Sequence, residues 1–424
     1  NFNSRFDGSQ ITMPKLLQAA GYQTTMIGKW HLISDPTGFD FWDILPGQGV
    51  YYNPQMIRNG VRSKRQGYVT NLITQASLDW LKSRDPKKPF LLMCHHKAPH
   101  RDWEPSTDKL HMFDGITFPE PSTLFDDYSG RGKAEHEQDM TINHTMTQGD
   151  NKHTPPNGLD ATQRAAWNEY YGPLNAEFRN SAPTGKELVR WKYQRYMHDY
   201  LACIASVDDS VGQLLDYLKQ NGLDKNTIVV YSADQGFYLG EHGWFDKRWI
   251  FEESLRTPLL VKWPGVVKPN SVNRNMVSNL DFAETLLASA GVTPPKEMQG
   301  RSFLPLLKGE KVADWRKSFY YHYYEYPGDH DVARHYGVVT DRYKLVYFYE
   351  PKFNYYELFD LKTDPHEMKS RYGNPKYKDI QNKLLQELAK LRAELKLPDS
   401  DPAETFPTPR QTSTPGSVLP KSKR

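Results

Sequence analysis

The sequence predicts an α/β protein: a mostly parallel sheet sandwiched by helices, with a smaller C-terminal antiparallel sheet and one helix. Two observations carry this. A helix followed by a short apolar strand recurs three times along the first part of the chain, and beyond Arg301 short aromatic strands follow one another with tight links.

The first unit starts at Thr12-Met-Pro-Lys-Leu-Leu-Gln-Ala-Ala, where a capping Thr and an early Pro open a helix and Gly21 stops it; Tyr22 to Ile27 then reads as a strand closed by Gly28. In the second, Val69 to Leu81 has apolar residues at helical spacing and leads into the short apolar run Pro89-Phe-Leu-Leu-Met-Cys94. The third runs from an amphipathic helix over Trp191 to Leu218, through Asn221-Gly222, into the β-branched strand Thr227 to Ser232. Between Asp126 and Pro183 the chain is polar and dotted with Gly and His, which predicts a long surface insertion. After Arg301, Phe319-Tyr-Tyr-His-Tyr-Tyr, Tyr336-Gly-Val-Val-Thr, Tyr343-Lys-Leu-Val-Tyr-Phe and Tyr355-Tyr-Glu-Leu-Phe read as strands, and about Lys376 to Leu395 as a helix. From Pro398 onward Pro, Ser, Thr and Lys dominate and predict a disordered tail. The expected organisation is a main domain over 1–300 with its insertion at about 126–183, an α+β subdomain over 301–395, and the tail over 396–424.

At 424 residues the chain exceeds the ~250–300 at which one core stops growing, consistent with two domains. Lys and Arg total 54 against 51 Asp and Glu, a net charge of +3 without single-sign blocks, which argues against a nucleic-acid partner. No apolar run reaches the ~18 residues of a membrane span. The two cysteines, Cys94 and Cys203, sit in apolar runs and build no disulfide framework, so they do not settle the compartment.

Three clusters carry chemistry, each just after an expected strand, where open α/β sheets place ligands. In Gly28-Lys29-Trp30-His31 the period of two puts Lys29 and His31 on one side; a surface lysine beside a half-buried histidine is the plainer reading. His95-His96-Lys97-Ala-Pro-His100 offers metal ligands, a general acid, or simply a polar loop. Ser232-Ala-Asp234-Gln235-Gly236 offers two oxygen donors that suit a hard cation such as Ca²⁺, or forms an ordinary turn. Converging on one rim, they would make an anion-transfer pocket.

Gly28-Lys-Trp-His31-Leu, Ala98-Pro-His100, Ala233-Asp-Gln-Gly236 and above all Gly240-Glu-His-Gly-Trp-Phe-Asp-Lys-Arg-Trp-Ile-Phe-Glu-Glu-Ser-Leu-Arg-Thr-Pro258 resemble the type I, formylglycine-dependent sulfatases of the alkaline-phosphatase-like superfamily. Tyr356-Glu-Leu-Phe-Asp-Leu-Lys-Thr-Asp-Pro-His-Glu367 resembles the strand and turn that close the family's small domain. The resemblance implies that Lys29 and Lys247 bind sulfate oxygens, His31 contacts the nucleophile, and His100 protonates the leaving sugar oxygen, with His95 and His96 as secondary candidates. It also implies Asp234 and Gln235 as Ca²⁺ ligands, a formylglycine made by a maturation enzyme, and secretion or periplasmic residence. The pattern around His95 to Pro105 and Tyr324 to Gly337 is closest to N-acetylglucosamine-6-sulfatases acting on glycosaminoglycans, in which Arg334 and His335, with His330, would reach the sugar; bracing of the loop is the other reading for Arg334.

The chain departs from the family in one respect. The Cys-x-Pro-Ser-Arg motif, its arginine and the paired N-terminal aspartates have no counterpart. N-terminal truncation is expected to account for all three, leaving this fragment inactive, and a pseudoenzyme is the alternative. A superfamily phosphodiesterase or phosphonate hydrolase, another sugar sulfatase, and a noncatalytic carbohydrate-binding homologue also stay open.

Overall fold

The computed structural model describes residues 5–398, so the tail expected over 396–424 falls, from 399, outside the described residues. In chain order the elements are α1 (Met13–Ala19), β1 (Gln23–Trp30), β2 (Phe41–Pro46), β3 (Gln55–Arg58), β4 (Val61–Lys64), α2 (Val69–Ser83), β5 (Phe90–His95), α3 (Lys133–Glu137), α4 (Ala161–Ser181), α5 (Gly185–Gln220), β6 (Val229–Ser232), β7 (Tyr238–Leu239), β8 (Phe245–Asp246), α6 (Glu252–Leu255), β9 (Leu259–Lys262), α7 (Asp281–Ser289), α8 (Leu304–Leu307), β10 (Ser318–Tyr323), β11 (His335–Thr340), β12 (Tyr343–Phe348), β13 (Tyr355–Asp360) and α9 (Lys378–Glu394).

These elements form two compact units. The first comprises, of the described residues, 5–118, 148–232 and 259–315. Its five-stranded sheet has the order β4-β3-β2-β1-β5, with β1 parallel to both β2 and β5, and β3 and β4 added antiparallel. Thr24 to Gly28 of β1 are buried in succession, as a strand covered on both faces requires. Met26, Ile44 and Ile57 from three neighbouring strands make one small core, and α2 packs on β1, β5 and α5. Strands β6 and β9 form a separate antiparallel pair.

The second unit comprises 119–147, 233–258 and, of the described residues, 316–398. Strands β10-β11-β12-β13 form an antiparallel sheet in sequence order, and α9 lies on it through Leu384 and Leu388, which meet Val338, Leu345 and Leu358. A second core joins Met140, Trp244, Trp249 and Phe251 to Val339, Val346, Phe348 and Phe359. The change of texture in the sequence predicts a single boundary near 300. The units are instead interleaved along the chain, because 119–147 and 233–258 carry apolar residues that pack with the late strands.

The stretch expected to be a surface insertion also differs from expectation. It holds the 21-residue α4, opened by an Asp160 and Gln163 capping box, and Arg131, Glu135, Met140 and Ile142 within it are buried.

Candidate functional site

In the first unit the candidate residues gather at the carboxyl edge of β1 and β5. Gly28 is in register with His95, and a Cβ on Gly28, whose φ is +110°, would lie 1.9 Å from the His95 carbonyl oxygen. Only glycine permits that approach, and it sets where Lys29, the penultimate residue of β1, and His31, just beyond it, leave the sheet beside His95. Lys29 and His31 are half-buried and His95 is exposed.

His96 points elsewhere. Its Nε2 lies 3.0 Å from the Ser210 hydroxyl, and burial, aided by neighbouring His95, holds the ring down to about 4, so it is a neutral interior histidine.

His100 lies in the loop after β5. Its Nδ1 is 2.8 Å from the carbonyl oxygen of Arg101, so that nitrogen carries a hydrogen and Nε2 is the position that can gain and deliver a proton. The loop is fastened by Tyr51, whose hydroxyl donates to the His100 carbonyl at 2.6 Å, and by the Lys97 ammonium, which donates to the carbonyls of Gln48 and Arg101 at 3.2 Å each.

In the second unit Asp234 and Gln235 occupy the turn before β7. The backbone N–H of Gly236 donates to the Ser254 carbonyl at 2.8 Å, and a Cβ on Gly236 would lie 2.0 Å from the Glu253 carbonyl oxygen, which demands glycine there.

The Asp234 carboxylate is exposed, and with the Gln235 side chain next to it makes a donor pair suited to a hard cation. Two oxygens fall short of the 6–8 that Ca²⁺ takes, and among the described residues no group of three or more His, Cys, Asp or Glu is placed to hold a metal.

Lys247 follows β8, its ammonium 3.0 Å from Asp246 Oδ1. Asp246 also pairs with Arg248 and with His330 Nε2 at 3.1 Å, while His330 Nδ1 meets the Asp139 carbonyl at 2.6 Å. Burial alone would raise the Asp246 carboxyl; the Arg248 guanidinium and the Lys247 ammonium outweigh it and hold the group well below the usual carboxylate range. Asp246 and Arg248 adopt φ of 73° and 126°, a strained backbone of the kind that concentrates at working sites.

The two remaining candidates have other surroundings. His335 is 0% exposed, stacked on Trp249, Tyr321 and Tyr323, and its Nδ1 bonds the Ala333 carbonyl at 2.8 Å; burial holds the ring at about 3. It is therefore a core residue and not a sugar contact. Arg334 is ion-paired to Glu350 and lies over the Tyr349 ring, which braces β11.

Sequence reasoning passes over Asp246 and Arg101, which stand inside stretches already singled out, and over Tyr51 and Asp150, which have no motif of their own to mark them. Neither cysteine fits a nucleophile's position: Cys203 is fully buried, and burial pushes the Cys94 thiol up to about 11.

Comparison with known proteins identifies the family. The family described as Sulfatase matches residues 4–292, and the family described as N-sulphoglucosamine sulphohydrolase, C-terminal, matches 240–394. An N-acetylglucosamine-6-O-sulfatase of Bacteroides thetaiotaomicron is 47% identical over 423 residues, covering 95% of this chain and 76% of the relative. The N-acetylglucosamine-6-sulfatase of Bos taurus is 29% identical over 324 residues, covering 72% of this chain and 50% of the relative. A solved structure, described as a complex with its substrate D-glucosamine-2-N,6-O-disulfate, superposes with a TM-score of 0.92 at 45% identity, covering 95% of this chain and 86% of the other. Among the described residues no helix is long and apolar enough to cross a membrane. On the match over residues 4–292 and the 47% identity, the chain belongs to the sulfatase family of sulfuric ester hydrolases, with their alkaline-phosphatase-like fold.

Proposed function

We propose that this protein hydrolyses the 6-O-sulfate of N-acetylglucosamine or glucosamine residues in glycosaminoglycan fragments. The observation that carries the reading is the 47% identity over 423 residues to a relative named for that activity. The TM-score of 0.92 to a structure holding a 6-O-sulfated glucosamine supports it.

In this reading Lys29 and Lys247 bind sulfate oxygens and offset their charge, and His31 contacts the nucleophile. As the sulfur–oxygen bond breaks, His100 passes the Nε2 proton to the leaving sugar oxygen, while its Nδ1–H stays on the Arg101 carbonyl. His95, exposed at the end of β5, and the exposed part of Arg334 contribute to holding the sugar. Asp234 and Gln235 would hold Ca²⁺, which when bound adds positive charge beside the sulfate. The nucleophile, a formylglycine by family resemblance, is neither Cys94 nor Cys203, and no step is assigned to it. A maturation enzyme as partner and residence in the periplasm or outside the cell belong to the same reading.

The test is sulfate release by the full-length, matured enzyme from N-acetylglucosamine 6-sulfate, from sugars sulfated elsewhere, and from phosphate mono- and diesters. Preferential release from the 6-position is expected. Faster turnover of phosphate esters would move the protein to a phosphohydrolase function, and binding of the sugar without turnover would make it a carbohydrate-binding homologue.

A further inference from the structure

Residues 150–152 lie inside the stretch that the sequence presents as a polar insertion, yet Asp150, Asn151 and Lys152 are only 2%, 3% and 1% exposed. The Asp150 carboxylate accepts a two-pronged contact from Arg101, Nε to Oδ1 at 2.7 Å and Nη2 to Oδ2 at 2.6 Å. Lys152 donates to the Asp102 carbonyl at 2.7 Å and to the Asp150 carbonyl at 2.8 Å, with Asp199 3.6 Å away. Asp199 in turn accepts from the Tyr171 hydroxyl at 2.6 Å, and Asn175 donates to the Lys152 carbonyl at 2.9 Å. Helices α4 and α5 thereby anchor a short clamp, and the clamp grips the residues directly after His100.

The grip reaches the imidazole through one atom. The Arg101 carbonyl oxygen accepts from His100 Nδ1, and Arg101 itself is fixed by its guanidinium on Asp150. A forked guanidinium–carboxylate pair constrains both distance and plane, which a single contact does not. An imidazole turned away from the leaving oxygen loses its use as an acid, and displacements of about 1 Å can cost ~10²-fold in rate.

We propose that Asp150 is a positioning residue for the reaction: through Arg101 it holds the His100 ring in the Nδ1–H tautomer and in one orientation. The proposal rests on the reading of His100 as the general acid. Asp150 itself touches no substrate. Its contribution is therefore felt only where protonation of the leaving group matters, and a sugar alkoxide needs that proton far more than an activated phenolate does.

The test compares D150N, D150E and H100A in the full-length enzyme on two substrates, N-acetylglucosamine 6-sulfate and 4-nitrophenyl sulfate. D150N is expected to lower kcat on the sugar ester about 10–100-fold and on the aryl ester less than about 3-fold, with D150E recovering part of the loss. Independently of turnover, ¹⁵N imidazole spectra of the present chain, with His100 assigned by its loss in H100A, are expected to show the Nδ1–H form in the parent and a mixture of tautomers in D150N. If H100A slows both substrates equally, the assignment of the acid fails, whatever Asp150 does. If H100A discriminates between the substrates while D150N slows both equally, or leaves the tautomer and the sugar-ester rate unchanged, the positioning role of Asp150 is overturned. Should D150N fail to fold, R101K, which keeps the charge and loses the fork, carries the same expectations and the same refutation.

Discussion

Lys344 on β12 and Glu367 beyond β13 face each other at 2.7 Å with neither side chain exposed, and Glu252 of α6 lies 3.1 Å from the same ammonium. Glu367 also accepts from the backbone N–H of Glu252 at 2.8 Å. Three separate stretches of the second unit thus meet at one buried charge. Removing one partner of such a pair strands the other, whereas removing both relieves much of that penalty. K344M is expected to destabilise the protein by about 3–5 kcal/mol, and K344M/E367L by clearly less than the sum of the single changes. Urea unfolding of the four proteins in the cycle measures this, and strictly additive losses would contradict a coupled pair.

Glu135 on α3 and Glu357 on β13 are 0% and 2% exposed, two carboxyls in the same buried place where the charge of one raises the cost of ionising the other. The Gly132 N–H donates to Glu357 at 2.6 Å, the Tyr355 hydroxyl lies 3.4 Å from Glu135, and Arg131 is the nearby cation. Burial first, and then the charge of Glu357, pushes the Glu135 carboxyl well above its ordinary value of 4.5; burial also raises Glu357. A value raised by folding means that the stabilisation is complete below about pH 4.5 and drains away as pH rises through the folded value. Glu135→Gln keeps the shape and supplies an amide donor, so it should flatten the alkaline loss of stability, which in the parent approaches about 1.4 kcal/mol per pH unit within that window. Denaturant midpoints measured from acid to alkaline pH that run parallel in the two proteins would rule out a raised Glu135 carboxyl.

His335 offers a direct contrast between core and contact. His335→Ala opens a cavity among Trp249, Tyr321 and Tyr323 and should cost about 2–4 kcal/mol while leaving KM for the sulfated sugar within a factor of about two. Because folding depresses its ring to about 3, the stabilisation it gives is present above about pH 6.5 and is lost as pH falls from there toward about 3, and the variant should lack this acid sensitivity. A tenfold rise in KM with an unchanged melting temperature would return His335 to the binding site.

The parts of the molecule most legible in the sequence are those where one local signal decides. Val69 to Leu81 becomes α2, the run Pro89 to Cys94 becomes β5 shifted by one residue at each end, and the four aromatic runs become β10 to β13 nearly to the residue, because spacing and apolar or aromatic content agree in each. Helix α4 is masked by its polarity: only Trp167, Tyr171 and Asn175 are buried along its length, and Pro173 interrupts the pattern, although the Asp160 and Gln163 cap stands in the sequence to be read. His335 misleads because residues on both faces of β11 are buried, so alternation gives no way to tell a core histidine from an exposed one. Asp150 lies beyond sequence reasoning altogether. Its partner Arg101 is 49 residues away, and nothing local announces an ion pair of that separation.

The interleaving of the two units also sets an order of events during synthesis. Every stretch of the first unit has left the ribosome soon after Trp315 is made, whereas Met140, Trp244 and Phe251, all fully buried in the finished second unit, then still await β10 to β13. At roughly 5–20 residues per second, they pass seconds as uncovered apolar surface while the first unit is already complete. Nascent chains halted just after Trp315 has emerged should therefore be strong clients of holdase chaperones, and release from the chaperone should track completion of the last aromatic strands.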